Sequence, residues 1–175
     1  SDDTVKNIIP KWTDWRSSTD LDTLYGYVKN INPADRYNKV EDELLGRKCL
    51  YVINSLVMAA EMCWERYAIS HGLDISKYSL DLSTIPVKKW NSESYMGPHF
   101  DGQDGDSKLA FSMVIYLNNN YSGGEINFPN HNVKIKPDSG SLIIFPSQQP
   151  FVHEVLPITD GQRYMVALLV RHSDV

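Results

Sequence analysis

Pro98-His99-Phe100-Asp101, answered far downstream by His153, is the stretch from which the rest of this chain can be read. A strand sends alternate side chains to one face, so His99 and Asp101, two apart, are expected to grip one ion from a single short segment while Phe100 points away. With His153 as a third ligand from a distant strand, the set forms a 2-His-1-carboxylate facial triad. That arrangement holds Fe(II) by one face and leaves the opposite face open for substrate and oxygen. The same His-x-Asp spacing also fits an ordinary hydrogen-bonded pair at a loop edge. The downstream residues favour the metal. The stretch between Asp101 and His153 reads as several short strands, and Arg163 stands ten positions past His153, where the last apolar strand begins.

Beyond these residues the chain has two textures. Asp20 to Ile31, closed by Asn32-Pro33, and Glu41 to Ser70, closed by His71-Gly72, show helical spacing: Leu44, Leu45, Cys49, Val52, Ile53, Leu56, Val57, Ala60 and Cys63 recur at threes and fours, a stripe that reads as core packing. From Asp81 onward the pattern changes to short β-branched and aromatic runs, among them Leu109 to Leu117, Ser141 to Phe145 and Arg163 to Val170, punctuated by Gly, Pro and Asn. No internal repeat or low-complexity segment interrupts them.

The segment from about Trp90 to His172 resembles the Fe(II)/2-oxoglutarate-dependent oxygenases, and within them the prolyl 4-hydroxylase type. The blocks that carry the resemblance are Pro98-His99-Phe100-Asp101, Val114-Ile115-Tyr116-Leu117-Asn118, Gly123-Gly124-Glu125, Phe145, His153-Glu154-Val155 and Gly161-Gln162-Arg163-Tyr164. The resemblance implies that His99, Asp101 and His153 bind iron and are the catalytic centre. It also implies that Arg163 pairs with the distal carboxylate of 2-oxoglutarate, a task suited to its planar fork of donors, and that Tyr116 adds a hydrogen bond.

Many relatives carry a cosubstrate-touching tyrosine about nine positions before the first iron histidine, and here that position is Trp90. The nearest tyrosine, Tyr95, would share the metal-facing side of a regular strand. Trp90 is thus read as either core or cosubstrate contact, and Tyr95 as outer support of the site, substrate contact or packing.

These elements lead to an expected fold that is mainly β with N-terminal helices: a double-stranded β-helix (jelly roll) flanked by α-helices, its mouth holding the metal. One domain is expected over residues 1–175, with 1–80 as helical support and 81–175 as the catalytic core. The activity implied is that of a dioxygenase consuming Fe(II), 2-oxoglutarate and O2, with ascorbate as a candidate auxiliary reductant. It would hydroxylate a peptidyl proline and release succinate and CO2. An oxygenase of a free amino acid or other small molecule, and a non-catalytic jelly-roll module that keeps a metal only for structure, are the alternatives. The last has no need of a cation such as Arg163 beyond the distal histidine.

Length and composition fit one compact unit, since 175 residues can bury a real core. With 17 basic and 22 acidic residues the net charge is −5, which gives no electrostatic reason to expect nucleic acid or an anionic membrane as partner. No run approaches a membrane span, and Ser1-Asp2-Asp3 lacks the basic start of a signal peptide. Cys49 and Cys63 fall in one expected helix, about 21 Å apart at ~1.5 Å per residue, so they read as two reduced thiols suited to a cytoplasmic protein. A monomer is expected. His71, His131 and His172 read as structural, and Gly102-Gln103-Asp104-Gly105-Asp106 as a solvated, mobile turn.

Overall fold

The computed structural model describes residues 21–30, 43–82 and 85–173. Two helices come first, α1 (Leu21–Asn30) and α2 (Glu43–Ser70). The expected Asn32-Pro33 stop lies outside the described residues. At the other end of α2 the chain leaves the helix through Gly72, whose φ of 64° is the left-handed turn that glycine takes without a Cβ penalty. His71 stacks on Tyr67 there, with ring centroids 4.1 Å apart, a structural role as expected.

Eleven strands come next among the described residues. In chain order they are β1 (Tyr78–Asp81), β2 (Val87–Trp90), β3 (Met96–His99), β4 (Leu109–Tyr116), β5 (Tyr121–Gly123), β6 (Ile126–Phe128), β7 (Val133–Ile135), β8 (Leu142–Pro146), β9 (His153–Val155), β10 (Ile158–Gly161) and β11 (Arg163–His172). The larger sheet runs β1-β11-β4-β8, with β2 also paired to β11. The smaller runs β3-β9-β6-β7, and β10 pairs with β5 in a separate two-stranded sheet. All pairings are antiparallel. The two main sheets form a double-stranded β-helix.

Alternation along the two central strands explains why their sequences lack the polar-apolar signature of a half-exposed strand. On β4, Met113 and Ile115 face the helices while Val114 and Tyr116 face the barrel interior; on β11, Val166, Leu168 and Val170 face the helices while Met165 faces inward. Both faces are covered, so both parities are apolar. The helical side is closed by the α2 stripe of Cys49, Val52, Ile53, Leu56, Ala60, Cys63, Trp64 and Ala68, all buried. Each fully buried aliphatic side chain there contributes about 1.5–3 kcal/mol. Trp64 extends the contact into an aromatic group with Phe111 and Tyr78 at 5.3 and 5.6 Å.

The shorter α1 is tied to the larger sheet by polar contacts as well as by buried Leu24. Asp22 accepts from the Lys89 ammonium at 2.5 Å and from the Tyr164 hydroxyl at 2.6 Å. These bonds hold its carboxyl below the usual carboxylate range, the Lys89 bond being the larger cause. Cys49 and Cys63 are buried in α2 as thiols, and no helix among the described residues is long and apolar enough to cross a membrane.

Candidate metal centre and anion pocket

His99 ends β3 and His153 begins β9, and antiparallel pairing sets the two residues directly opposite each other. Their ring centroids are 4.4 Å apart. Asp101 joins them: its Oδ1 lies 3.3 Å from His99 Nε2 and 3.7 Å from His153 Nε2. One potential ligand atom from each of the three falls within 4.8 Å of the others, the only such His/Cys/Asp/Glu group among the described residues. The expectation that His99 and Asp101 project from one strand is corrected here. β3 stops at His99, and Asp101 opens a turn in which Gly102 N–H bonds the Ser147 carbonyl at 2.9 Å. The turn, rather than strand alternation, swings the carboxylate back to the histidines.

Each histidine is oriented from behind. His99 Nδ1 lies 2.8 Å from the Gly97 carbonyl and His153 Nδ1 lies 3.2 Å from the Phe151 carbonyl. A carbonyl only accepts, so each bond places the proton on Nδ1 and leaves the Nε2 lone pair for a metal. Burial pushes the His153 imidazole below its ordinary value, which keeps it a neutral ligand at pH 7. The second oxygen of Asp101 accepts from the Ser112 hydroxyl, which is itself 2.7 Å from the Ser147 hydroxyl. Ser112 is the inward-facing serine of β4, and the sequence reading missed it because a small polar residue inside an apolar run carries no signal of its own.

Further along the interior lies Arg163, fully buried. It is the first residue of β11 and pairs with Trp90 of β2. Its guanidinium stands 4.4 Å from the Trp90 ring and 5.9 Å from the Tyr116 ring. One nitrogen, Nη1, donates to the Gly124 carbonyl at 3.0 Å, while Nε and Nη2 have no partner. A buried cation with unspent donors is costly unless an anion meets it, so these atoms suit a carboxylate. Burial pushes the Tyr116 phenol well up, so it remains a neutral hydroxyl. Tyr121, not singled out by the sequence, is also buried, and its hydroxyl has no partner either.

The residues predicted as site therefore separate. His99, Asp101 and His153 meet in one cluster, and Arg163, Trp90 and Tyr116 in another. Tyr95 joins neither. It precedes β3, the register shifts between Met96 and His99, and the side chain is 68% exposed, which corrects the expectation of a metal-facing position. The Gly102–Asp106 turn is solvated as read at Gln103, Asp104 and Gly105, which are exposed, but it is anchored at its end. Asp106 pairs with the Arg171 guanidinium, and the Gln148 amide donates to the carbonyls of Asp106 and Leu109 at 3.2 and 2.9 Å. His131 stacks on Phe151 at 4.6 Å and His172 lies against Tyr78 at 5.2 Å, both structural as read.

Known proteins resemble this chain in sequence and in fold. Residues 86–171 match the model of the 2OG-Fe(II) oxygenase superfamily. A PKHD-type hydroxylase of Prochlorococcus marinus (strain MIT 9215) is 36% identical over 141 residues, covering 79% of this chain and 58% of that one. A putative prolyl 4-hydroxylase of Acanthamoeba polyphaga mimivirus is 34% identical over 106 residues, covering 50% and 44%. The chain thus spans about half the length of these curated relatives.

Among solved structures, the viral collagen prolyl hydroxylase of Paramecium Bursaria Chlorella virus-1, in complex with 2OG, superposes with a TM-score of 0.59 at 22% identity over 69% of this chain and 74% of that one. A prolyl-4-hydroxylase of Pseudomonas putida gives 0.51 at 22% identity over 87% and 81%. At such identities the likeness is one of fold. With the triad at the β3–β9 junction and the matched segment spanning both sheets, the chain belongs to the 2OG-Fe(II) oxygenase superfamily, with a fold like that of the prolyl hydroxylases.

Proposed function

We propose that the protein is an Fe(II)- and 2-oxoglutarate-dependent dioxygenase that hydroxylates a prolyl residue within a peptide, with release of succinate and CO2. The observation that carries the enzyme reading is Arg163: a fully buried guanidinium with two unpartnered nitrogens, inside the same barrel as a three-ligand His-Asp-His cluster. A metal kept for structure alone gives no reason for that cation, which is why the non-catalytic module is the weaker reading.

His99, Asp101 and His153 would hold the iron, and Arg163 with Tyr116 the distal carboxylate of the cosubstrate. Iron and cosubstrate bound there would, with O2, supply an oxidant able to replace a C–H bond by C–OH. The protein's own part is placement. Ser112 and the two backbone carbonyls fix the ligands, and Arg163 fixes one end of a dicarboxylate so that it occupies a single pose. The apolar walls of Val114, Phe145 and Met165 exclude water.

The names of the mimivirus relative and of the two structural neighbours support a prolyl substrate, while the PKHD-type relative's name leaves a different acceptor as the second reading. The exposed lip Asn91–Met96, with Tyr95 and Met96 presenting apolar surface, suits a peptide lying across the mouth. Ascorbate as an auxiliary reductant and a reducing cytoplasmic setting for the buried thiols belong to the same proposal.

The test is incubation with Fe(II), ascorbate and 2-oxoglutarate, followed by succinate measurement and mass spectrometry over a panel of proline-containing peptides and free amino acids. One added oxygen on a peptidyl proline is the expected result. Oxygen gained only by free amino acids or other small molecules would overturn the peptide claim. No succinate under any condition would overturn the enzyme.

A further inference from the structure

We infer that the Tyr121 hydroxyl is a further binding residue for the distal carboxylate of the cosubstrate, sharing it with Arg163. The inference rests on the proposed use of 2-oxoglutarate. It starts from three donor atoms that the fold buries and leaves unspent: Arg163 Nε, Arg163 Nη2 and Tyr121 OH. They are the only buried side-chain nitrogen or oxygen atoms lacking a partner among the described residues. Such groups are rare in folded proteins because each loses its water without compensation, so finding all three in one region calls for an acceptor.

Gly124 brings them together. Its carbonyl accepts from Arg163 Nη1 at 3.0 Å, and its α-carbon lies so close under Tyr121 that a Cβ there would be 3.1 Å from ring atom Cε2. Lys136 closes the other side, with its ammonium 3.7 Å from the centre of the Tyr121 ring and bonded to the Tyr121 and Gly123 carbonyls. Burial pushes the Tyr121 phenol up while the Arg163 charge opposes it, so the hydroxyl is a neutral donor within electrostatic reach of the guanidinium.

Trp90 turns a ring face to Arg163 and brings no hydroxyl. A carboxylate can accept from a guanidinium and a phenol at once, and the unspent donors of Arg163 and Tyr121 offer both.

The test compares wild type with Tyr121→Phe, which deletes one oxygen and keeps the ring against Gly124. 2-Oxoglutarate is titrated calorimetrically into Mn(II)-loaded protein without oxygen, alongside 2-oxobutyrate, a 2-oxo acid with no distal carboxylate. The expected result is a dissociation constant for 2-oxoglutarate raised about 10- to 100-fold in the variant, as for loss of a hydrogen bond to a charged group. The constant for 2-oxobutyrate should be unchanged. The ligand-free melting temperature should not fall, since the deleted hydroxyl has no partner to lose. An unchanged 2-oxoglutarate constant, or equal weakening of both ligands, overturns the role of Tyr121 while leaving the cosubstrate reading intact. If the wild type itself binds no 2-oxoglutarate, both fall together.

Discussion

Ser112 shows how much a single hydroxyl can carry at this centre. It donates to the Asp101 oxygen that does not face the histidines and is braced by Ser147, so it fixes the direction in which the carboxylate meets a metal. Groups in that position typically change metal affinity about 10- to 100-fold. Ser112→Ala is expected to weaken Mn(II) or Co(II) binding by about that factor with the fold retained, as read by metal titration and circular dichroism. His153→Ala should go further and abolish turnover, because no fourth His, Cys, Asp or Glu among the described residues joins the cluster to replace it. Substantial activity of that variant with ordinary Fe(II) would sink the triad.

Arg163 and Tyr116 make a graded pair. Removing one partner of a desolvated ion pair costs about 2–5 kcal/mol, so Arg163→Ala should raise the 2-oxoglutarate requirement by about thirty- to several-thousand-fold. Tyr116→Phe loses one hydrogen bond to a charged group, about 1.5–3 kcal/mol. A dose series in 2-oxoglutarate reads both, and an unchanged requirement in the Arg163 variant would remove it from the site.

Among the elements, α2 is the wall against which the larger sheet is built, and Leu56 sits on it with no exposed surface. Truncating a side chain so placed leaves a cavity that the packed sheet cannot collapse, so Leu56→Ala should destabilise by about 2–5 kcal/mol in denaturant unfolding while leaving metal affinity unchanged in the folded fraction.

The turn after Asp101 is tied to the end of β11 through Asp106 and Arg171. The Arg171 hydrogen bond is the main cause that holds the Asp106 carboxyl below its ordinary 3.8. A carboxylate whose folded value is depressed stabilises the fold fully above its unfolded value, and that contribution fades as pH falls through the lower, folded value. Asp106→Asn should therefore flatten the acid end of the stability curve, below about pH 4, relative to wild type. An identical acid limb would show the pair to be energetically silent.

Across the molecule, the two half-sites need each other only through the barrel that holds them. Metal and dicarboxylate bind the native state and have no preformed site in the unfolded chain, so Mn(II) and 2-oxoglutarate together should raise the melting temperature more than Mn(II) alone. At a ligand concentration about 100-fold over its dissociation constant the gain is about 2.7 kcal/mol. No further shift on adding 2-oxoglutarate would count against a cosubstrate pocket at Arg163.

Much of this architecture was legible in the chain. The α2 stripe and the runs of β4, β8 and β11 come from periodicity and β-branched composition, because helices and strands impose fixed repeats on any buried face. The grouping of His99, Asp101 and His153 was legible too, since a metal needs particular atoms, while Arg163 was singled out by the family resemblance and its place ten residues past His153.

What periodicity could not reach are the departures from regular repeat and the pairs made across strands. Asp101 comes to the two histidines through a turn, Tyr95 is turned out by a register shift at β3, and Asp106 is anchored by a residue at the far end of the chain. The polar partners Ser112 and Tyr121 are visible only once β4, β5 and β11 enclose a common interior. Local sequence determined the elements and the identity of the reactive groups, because those depend on neighbours a few residues away. Tertiary structure alone decided that the Ser112 hydroxyl meets Asp101 and that the Tyr121 hydroxyl is buried without a partner, because that depends on strand pairing between residues distant in sequence, whose register no local pattern records.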